Sequence, residues 1–90
     1  MTENIKILKI IGEIKEENRL EIIEDVKSIK GVLDCIIVEE NGETLLKYAI
    51  DKWSSDYDIL VTIMNGLADN YDLESEMYDT AIEDDKHGQV

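Results

Sequence analysis

Residues 31–50 have the sequence GVLDCIIVEENGETLLKYAI, which contains the clearest local signal in the chain. Val32–Val38 and Leu45–Ile50 are short and mostly apolar, as expected for strands. Between them lies Asn41-Gly42, a dipeptide that strongly favours a tight hairpin turn. We therefore predict two antiparallel strands joined at this dipeptide.

A strand and a helix are predicted before the hairpin. Residues Ile5–Ile11, IKILKII, are short, β-branched and apolar, as in a buried strand, and Gly12 ends them. The following stretch, roughly Glu16–Lys30, has apolar side chains at helical spacing, acids in its first turn and lysines in its last. Gly31 is a suitable stop for this helix.

A second helix and a fourth strand are predicted after the hairpin. Ser55 followed by Asp58 resembles a capping box, with Asp in place of the usual Glu. The helix that begins there is expected to fray or end at Asn65-Gly66. A short strand near Asn70–Leu73 would complete the order βαββαβ. The predicted fold is α+β, a ferredoxin-like sandwich in which an antiparallel four-stranded sheet carries two helices on one face.

The length and composition of the chain indicate one globular domain. Its 90 residues are 43% hydrophobic and 34% charged, which supports one core. We assign residues 1–73 to that domain and residues 74–90 to an acidic C-terminal extension, partly helical or disordered. Neither a membrane span nor a signal peptide is apparent. The single cysteine suits a reducing compartment, so a soluble, cytoplasmic protein is expected.

The net charge of −13 narrows the range of partners. Such a surface repels phosphate backbones and anionic lipid, so we expect neither nucleic-acid binding nor membrane binding. A charged partner, if there is one, would be basic or a cation. The alternative is that the charge serves solubility alone.

Several of these features resemble the heavy-metal-associated (HMA) family, which includes small copper chaperones. The resemblance covers about residues 5–73 and rests on the spacing of fold-level motifs. It implies the same βαββαβ fold. The matching positions are Gly12, Ile23-Glu24, Gly31-Val32 and Tyr48.

The metal-binding motif of that family is absent. The resemblance places its two cysteines on Lys15 and Asn18 and its loop methionine on Glu13. Cu(I) is a soft ion that needs thiolates, whereas a protonated lysine has no lone pair to offer. The resemblance thus implies a scaffold without the thiolate site, and we predict no cofactor and no metal ligand.

Carboxylates at the same loop leave one alternative open. Glu13, Glu16 and Glu17 cluster where the family holds its metal, and three carboxylates could attract a hard divalent ion. Acids are also favoured at any helix start, with no metal involved. The alternative function is therefore a metal-binding or metal-transport-associated protein that uses carboxylates instead of cysteines.

The remaining reactive side chains do not form a catalytic set in the sequence. Cys35 is predicted to be a small buried apolar residue. His87 lies near the C-terminus and has no serine or cysteine that the sequence places beside it. Trp53 is predicted to be a packing residue. We therefore predict no catalytic residues and a non-enzymatic protein-interaction or regulatory module.

The register that the resemblance implies, combined with strand alternation, divides the sheet into two faces. The face toward the helices is predicted to carry Leu8, Ile10, Cys35, Ile37, Leu46 and Tyr48. The opposite face is predicted to carry Ile7, Lys9, Ile11, Ile36, Val38, Leu45, Lys47 and Ala49.

The opposite face is more apolar than a face in water should be. A contiguous apolar patch generally marks a contact surface. One prediction is a homodimer or a protein partner bound through this patch. The other is that a C-terminal stripe of Leu73, Met77, Ala81 and Ile82 folds over it within the chain. The predicted partner-binding residues are Ile7, Ile11, Ile36, Val38 and Leu45.

Overall fold

A computed structural model describes residues 4–78 and shows the predicted order of elements. The four strands form one sheet with the order β2-β3-β1-β4, and neighbouring strands are antiparallel. The α+β, ferredoxin-like βαββαβ fold is therefore confirmed. The elements are β1 (Asn4–Ile11), α1 (Glu16–Lys27), β2 (Val32–Glu40), β3 (Glu43–Ile50), α2 (Asp56–Tyr71) and β4 (Glu74–Met77).

The β2–β3 hairpin forms as predicted. Glu40 pairs with Glu43, so Asn41 and Gly42 make a two-residue turn with φ values of 54° and 79°. Positive φ at both central residues matches the twist of the flanking strands, and Asn-Gly tolerates it best. The turn therefore determines the register of β2 against β3 from Glu40 back to Asp34.

The first helix is shorter than predicted. It ends at Lys27 instead of Lys30, and the Ser28 hydroxyl donates to the Asp25 carbonyl at 2.6 Å. Ile29 then lies in a turn and donates its amide to the Val26 carbonyl at 3.1 Å. The helix stops early because the chain must tighten into these turns before the positive φ of Gly31.

The second helix is longer than predicted. The Ser55 hydroxyl accepts a hydrogen bond from the Asp58 amide at 3.2 Å, which confirms the predicted N-cap. The helix continues through Asn65-Gly66 and ends at Tyr71, so the expected end at that dipeptide is wrong. A glycine in a helix costs only about 1 kcal/mol, and burial of the next residue, Leu67, outweighs that cost.

The fourth strand lies later in the chain than predicted. It spans Glu74–Met77, not Asn70–Leu73, and pairs with Leu8–Ile11 of β1. The first residues assigned to the extension are therefore part of the sheet. Leu73 is buried in the main core, and Met77 is an exposed strand residue, so these two do not form the predicted helical stripe. Ala81, Ile82 and His87 lie outside the described residues.

Both helices pack on the same face of the sheet. The core joins strand residues with Ile22 and Val26 of α1 and with Ile63 and Leu67 of α2. The predicted inward register is confirmed, since Ile37 packs against this core and the other five members of the set are buried in it. The opposite side of the sheet, called the outer face here, carries the residues that were predicted to point away from the helices.

Candidate functional site: the outer face of the sheet

Strand pairing brings the predicted outer residues together. Lys47 of β3 lies between Ile36 of β2 and Ile7 of β1 in one cross-strand row. In the next row Leu45 lies between Val38 and Lys9. Ile11 continues the same side of β1. The five predicted partner-binding residues thus share one face, and their role in binding remains a prediction.

Exposure divides these five residues into three groups. Ile36 is 49% exposed and Ile11 is 44% exposed, whereas Leu45 is only 1% exposed. Ile7 and Val38 are half-buried. Leu45 lies on the central strand β3 with a neighbour on each side, so it offers almost no surface to another molecule. The accessible apolar surface lies toward the edge and the ends of the sheet.

The side chains of two lysines lie across the outer face and help to bury Leu45. Lys9 is the direct cross-strand partner of Leu45, and Lys47 is two residues farther along the same strand. Their ammonium groups reach Glu43 at 3.2 Å and Glu40 at 3.1 Å, beside the hairpin turn. Lysine stems held in this way cover apolar surface while the charge stays in water.

A shallow depression of about 180 Å³ lies at the other end of the outer face. Ile5, Ile36 and Ala49 supply its apolar walls, and Asp34 and Lys47 supply charge. Ile5 is 60% exposed and was missed by the sequence analysis. The sequence does contain a signal for it, because the alternation that places Ile7, Lys9 and Ile11 on one side of β1 also places Ile5 there, two residues before Ile7.

Two other exposed apolar residues, Leu33 and Trp53, have no comparable signal in the sequence. Leu33 is exposed at a β-bulge between Val32 and Asp34, which sequence periodicity does not reveal. Trp53 is 84% exposed with the Lys52 ammonium 5.0 Å from the ring centroid, so its prediction as a packing residue is wrong.

Cys35 is buried on the side of the helices and is not a reactive thiol. Burial and the nearby Asp34 carboxylate raise the pKa of Cys35 from 9.0 to about 12, against a smaller lowering by Lys27. Thiolate is the reactive and metal-binding form of cysteine. At neutral pH this side chain therefore acts as a small apolar residue, as predicted.

The loop before α1 forms a loop-to-helix turn that carries no thiolate. Lys15 is the N-cap residue, and its carbonyl accepts the Asn18 amide at 2.9 Å. Glu13, Glu16 and Glu17 are all exposed. Within residues 4–78 no three His, Cys, Asp or Glu side chains are grouped so that they could hold a metal ion. These three glutamates are thus not assembled as a ligand set.

A groove of about 260 Å³ lies between the two helices. Ile22 and Val26 line one side, and Ile63 and Leu67 line the other. Across it the Tyr71 hydroxyl donates to Asp25 Oδ2 at 2.7 Å. Burial of the phenol and this hydrogen bond raise the pKa of Tyr71. The hydroxyl is therefore a neutral donor that ties the helices together.

Comparisons with protein-family models, with curated proteins and with solved structures find no match for this chain. In the described part of the chain, no helix has the length and apolar character that crossing a membrane requires.

Proposed function

We propose that this protein is a non-enzymatic protein-interaction or regulatory module, built on an HMA-like scaffold that lacks the thiolate metal site. The observation that carries the proposal is the outer face, where Ile5, Ile11 and Ile36 are exposed on one side of a sheet. Ile5 and Ile36 line one depression at the same end of this face, and contiguous exposed apolar surface is typical of contact surfaces.

The scaffold part of the proposal is supported by the loop before α1. Lys15 and Asn18 lie one helical turn apart at the start of the helix, which is where a Cys-x-x-Cys pair would bring two thiolates to one ion. In this chain the same turn carries an ammonium and an amide, so a function in protein contact fits the residues better than copper transfer.

A capture experiment with two matched variants tests the proposal. The full chain, its Ile36→Lys variant and its Leu20→Lys variant are immobilised, and extract of the source cells is passed over each. Both substitutions put a lysine at an exposed apolar site, but Leu20 lies on α1 in the helical layer. An ammonium at the outer face must be desolvated when a partner binds there, which weakens the contact.

The expected result is a partner, a second copy of this chain included, that is retained by the parent and by Leu20→Lys and is lost with Ile36→Lys. Circular dichroism checks that both variants are folded. Retention of the same partners by all three proteins, or of none by the parent, would contradict a binding role for this face.

A further inference from the structure

β2 is an edge strand with an open side. It spans nine residues and pairs with β3, and no other described strand lies along it. Glu40 and Glu43 flank a two-residue turn and form a hydrogen-bonded pair. Because such pairs alternate along an antiparallel strand, the even-numbered residues from 34 to 40 form backbone hydrogen bonds with β3. The amides and carbonyls of Cys35, Ile37 and Glu39 therefore point away from the sheet.

One hydrogen bond supports this orientation. The Cys35 amide donates to the Oδ1 atom of the preceding residue, Asp34, at 2.8 Å and not to β3. Native edges are usually blunted by lysine, proline or bulges. The central part of β2, Cys35–Val38, contains only CIIV, and the bulge lies before it at Leu33. Within residues 4–78 the edge is capped at one amide, that of Cys35, and is open at Ile37 and Glu39.

The charge pattern of β2 argues against one of the registers in which the strand could pair with itself. About a two-fold axis at Ile36, antiparallel pairing sets Cys35 opposite Ile37 of the second copy and Asp34 opposite Val38 of the second copy. An axis at Ile37 would instead set Asp34 opposite Glu40 twice, and like charges directly opposite each other are destabilising. An axis at Val38 would set Ile36 opposite Glu40 and would therefore not bring the two exposed Ile36 side chains together.

We infer that a second copy of this chain pairs with β2 about an axis at Ile36, which joins two sheets into one of eight strands. The inference rests on the proposed function, because it names the partner. It pairs the outward-pointing amides and carbonyls of Cys35 and Ile37 with those of the second copy and brings the two exposed Ile36 side chains together. Asp34 releases the Cys35 amide when the strands pair.

Disulfide trapping tests this register with a matched control. In a Cys35→Ala background, Ile36→Cys places two thiols at the axis, where a non-hydrogen-bonded pair has a Cα separation of about 4.5 Å, within the range for a disulfide. In the same background, the two Val38→Cys thiols would lie four residues apart along the paired strands, a separation of about 13 Å. Both sites lie on the outer face of β2.

The expected result under mild oxidation is a covalent dimer as the main product for Ile36→Cys and a monomer for Val38→Cys. Sedimentation of the unmodified full chain should give the mass of two chains. The dimer should strengthen from very low salt to about 0.15 M, because screening reduces the repulsion between two acidic chains.

Two outcomes would overturn the inference. One is an unmodified chain that stays monomeric while neither cysteine variant is trapped. The other is trapping of Val38→Cys at least as efficient as that of Ile36→Cys. If another protein is still captured in an Ile36-dependent way, the homodimer fails and the proposed function stands. If nothing depends on Ile36, both fail.

Discussion

Replacement of Gly31 by alanine is expected to cost about 3 kcal/mol of unfolding free energy, from backbone strain and overpacking together. Gly31 has a φ of 100°, and an added methyl group would overlap Ser54 Oγ, lie 2.8 Å from Ser54 Cβ and lie 3.1 Å from Ile59 Cδ1. Ser54 cannot easily move away, because its hydroxyl donates to Asp51 Oδ1 at 2.8 Å. The Gly31 carbonyl also accepts the Asp51 amide at 3.0 Å.

Gly66→Ala is the matched control and should change stability in the opposite direction. Gly66 lies inside α2, and an added methyl group there meets nothing within 4 Å. Alanine should therefore raise the unfolding free energy by about 0.5–1 kcal/mol through helix propensity. Urea titration and thermal unfolding of the full chain measure both changes.

For a domain of this size the Gly31→Ala loss corresponds to a fall in Tm of about 12–24 °C. A loss below about 1 kcal/mol, which the left-handed backbone alone could account for, would show that the close approach of Gly31 to Ser54 is wrong. A loss for Gly66→Ala would contradict the open space beside α2.

Three further predictions concern the helix caps, alkaline pH and copper. Lys15, the N-cap of α1, makes no side-chain cap hydrogen bond, so Lys15→Ser should raise the unfolding free energy and Ser55→Ala should lower it, each by about 1 kcal/mol; thermal shifts of the same sign would contradict this. The raised pKa of Cys35 means that the native state keeps a proton that the unfolded chain releases above pH 9.0. Stability should therefore be full below that pH and fall as pH rises toward 12, and urea titrations should show a shallower fall for Cys35→Ala. The parent should lack tight Cu(I) binding, and Lys15→Cys with Asn18→Cys should gain it in competition with a chelator; a folded double variant without any gain would refute the alignment at this loop.

The parts of the fold that follow from local chemistry could be predicted from the sequence. Asn41-Gly42 determines the hairpin turn, and Ser55 marks the start of α2 by an N-cap that needs only its own neighbours. Two-residue alternation places Leu8 and Ile10 on one side of β1, but the register that the resemblance implies, and not alternation, selected that side as the buried one.

The parts that depend on distant contacts could not be predicted in the same way. β4 has the sequence ESEM, which has no strand periodicity, and it forms because β1 offers it a backbone partner. The predicted end of α2 is wrong because the local signal, Gly66, is weaker than the burial of Leu67 in the core. Local propensity is a weak prior when tertiary packing opposes it.

The outer face shows the same limit within a single surface. Alternation places Leu45 and Ile36 on one side of the sheet, but it does not say which of them another molecule could touch. That depends on the order of strands: Leu45 is on β3, between Val38 and the stem of Lys9, and Ile36 is on β2, where the sheet ends. The same position at the edge that leaves Ile36 exposed also leaves the backbone groups of Cys35 and Ile37 without a partner among the described strands. Side-chain exposure and open backbone groups therefore coincide on β2, and this coincidence makes the edge, more than the middle of the face, the place where a second strand would bind.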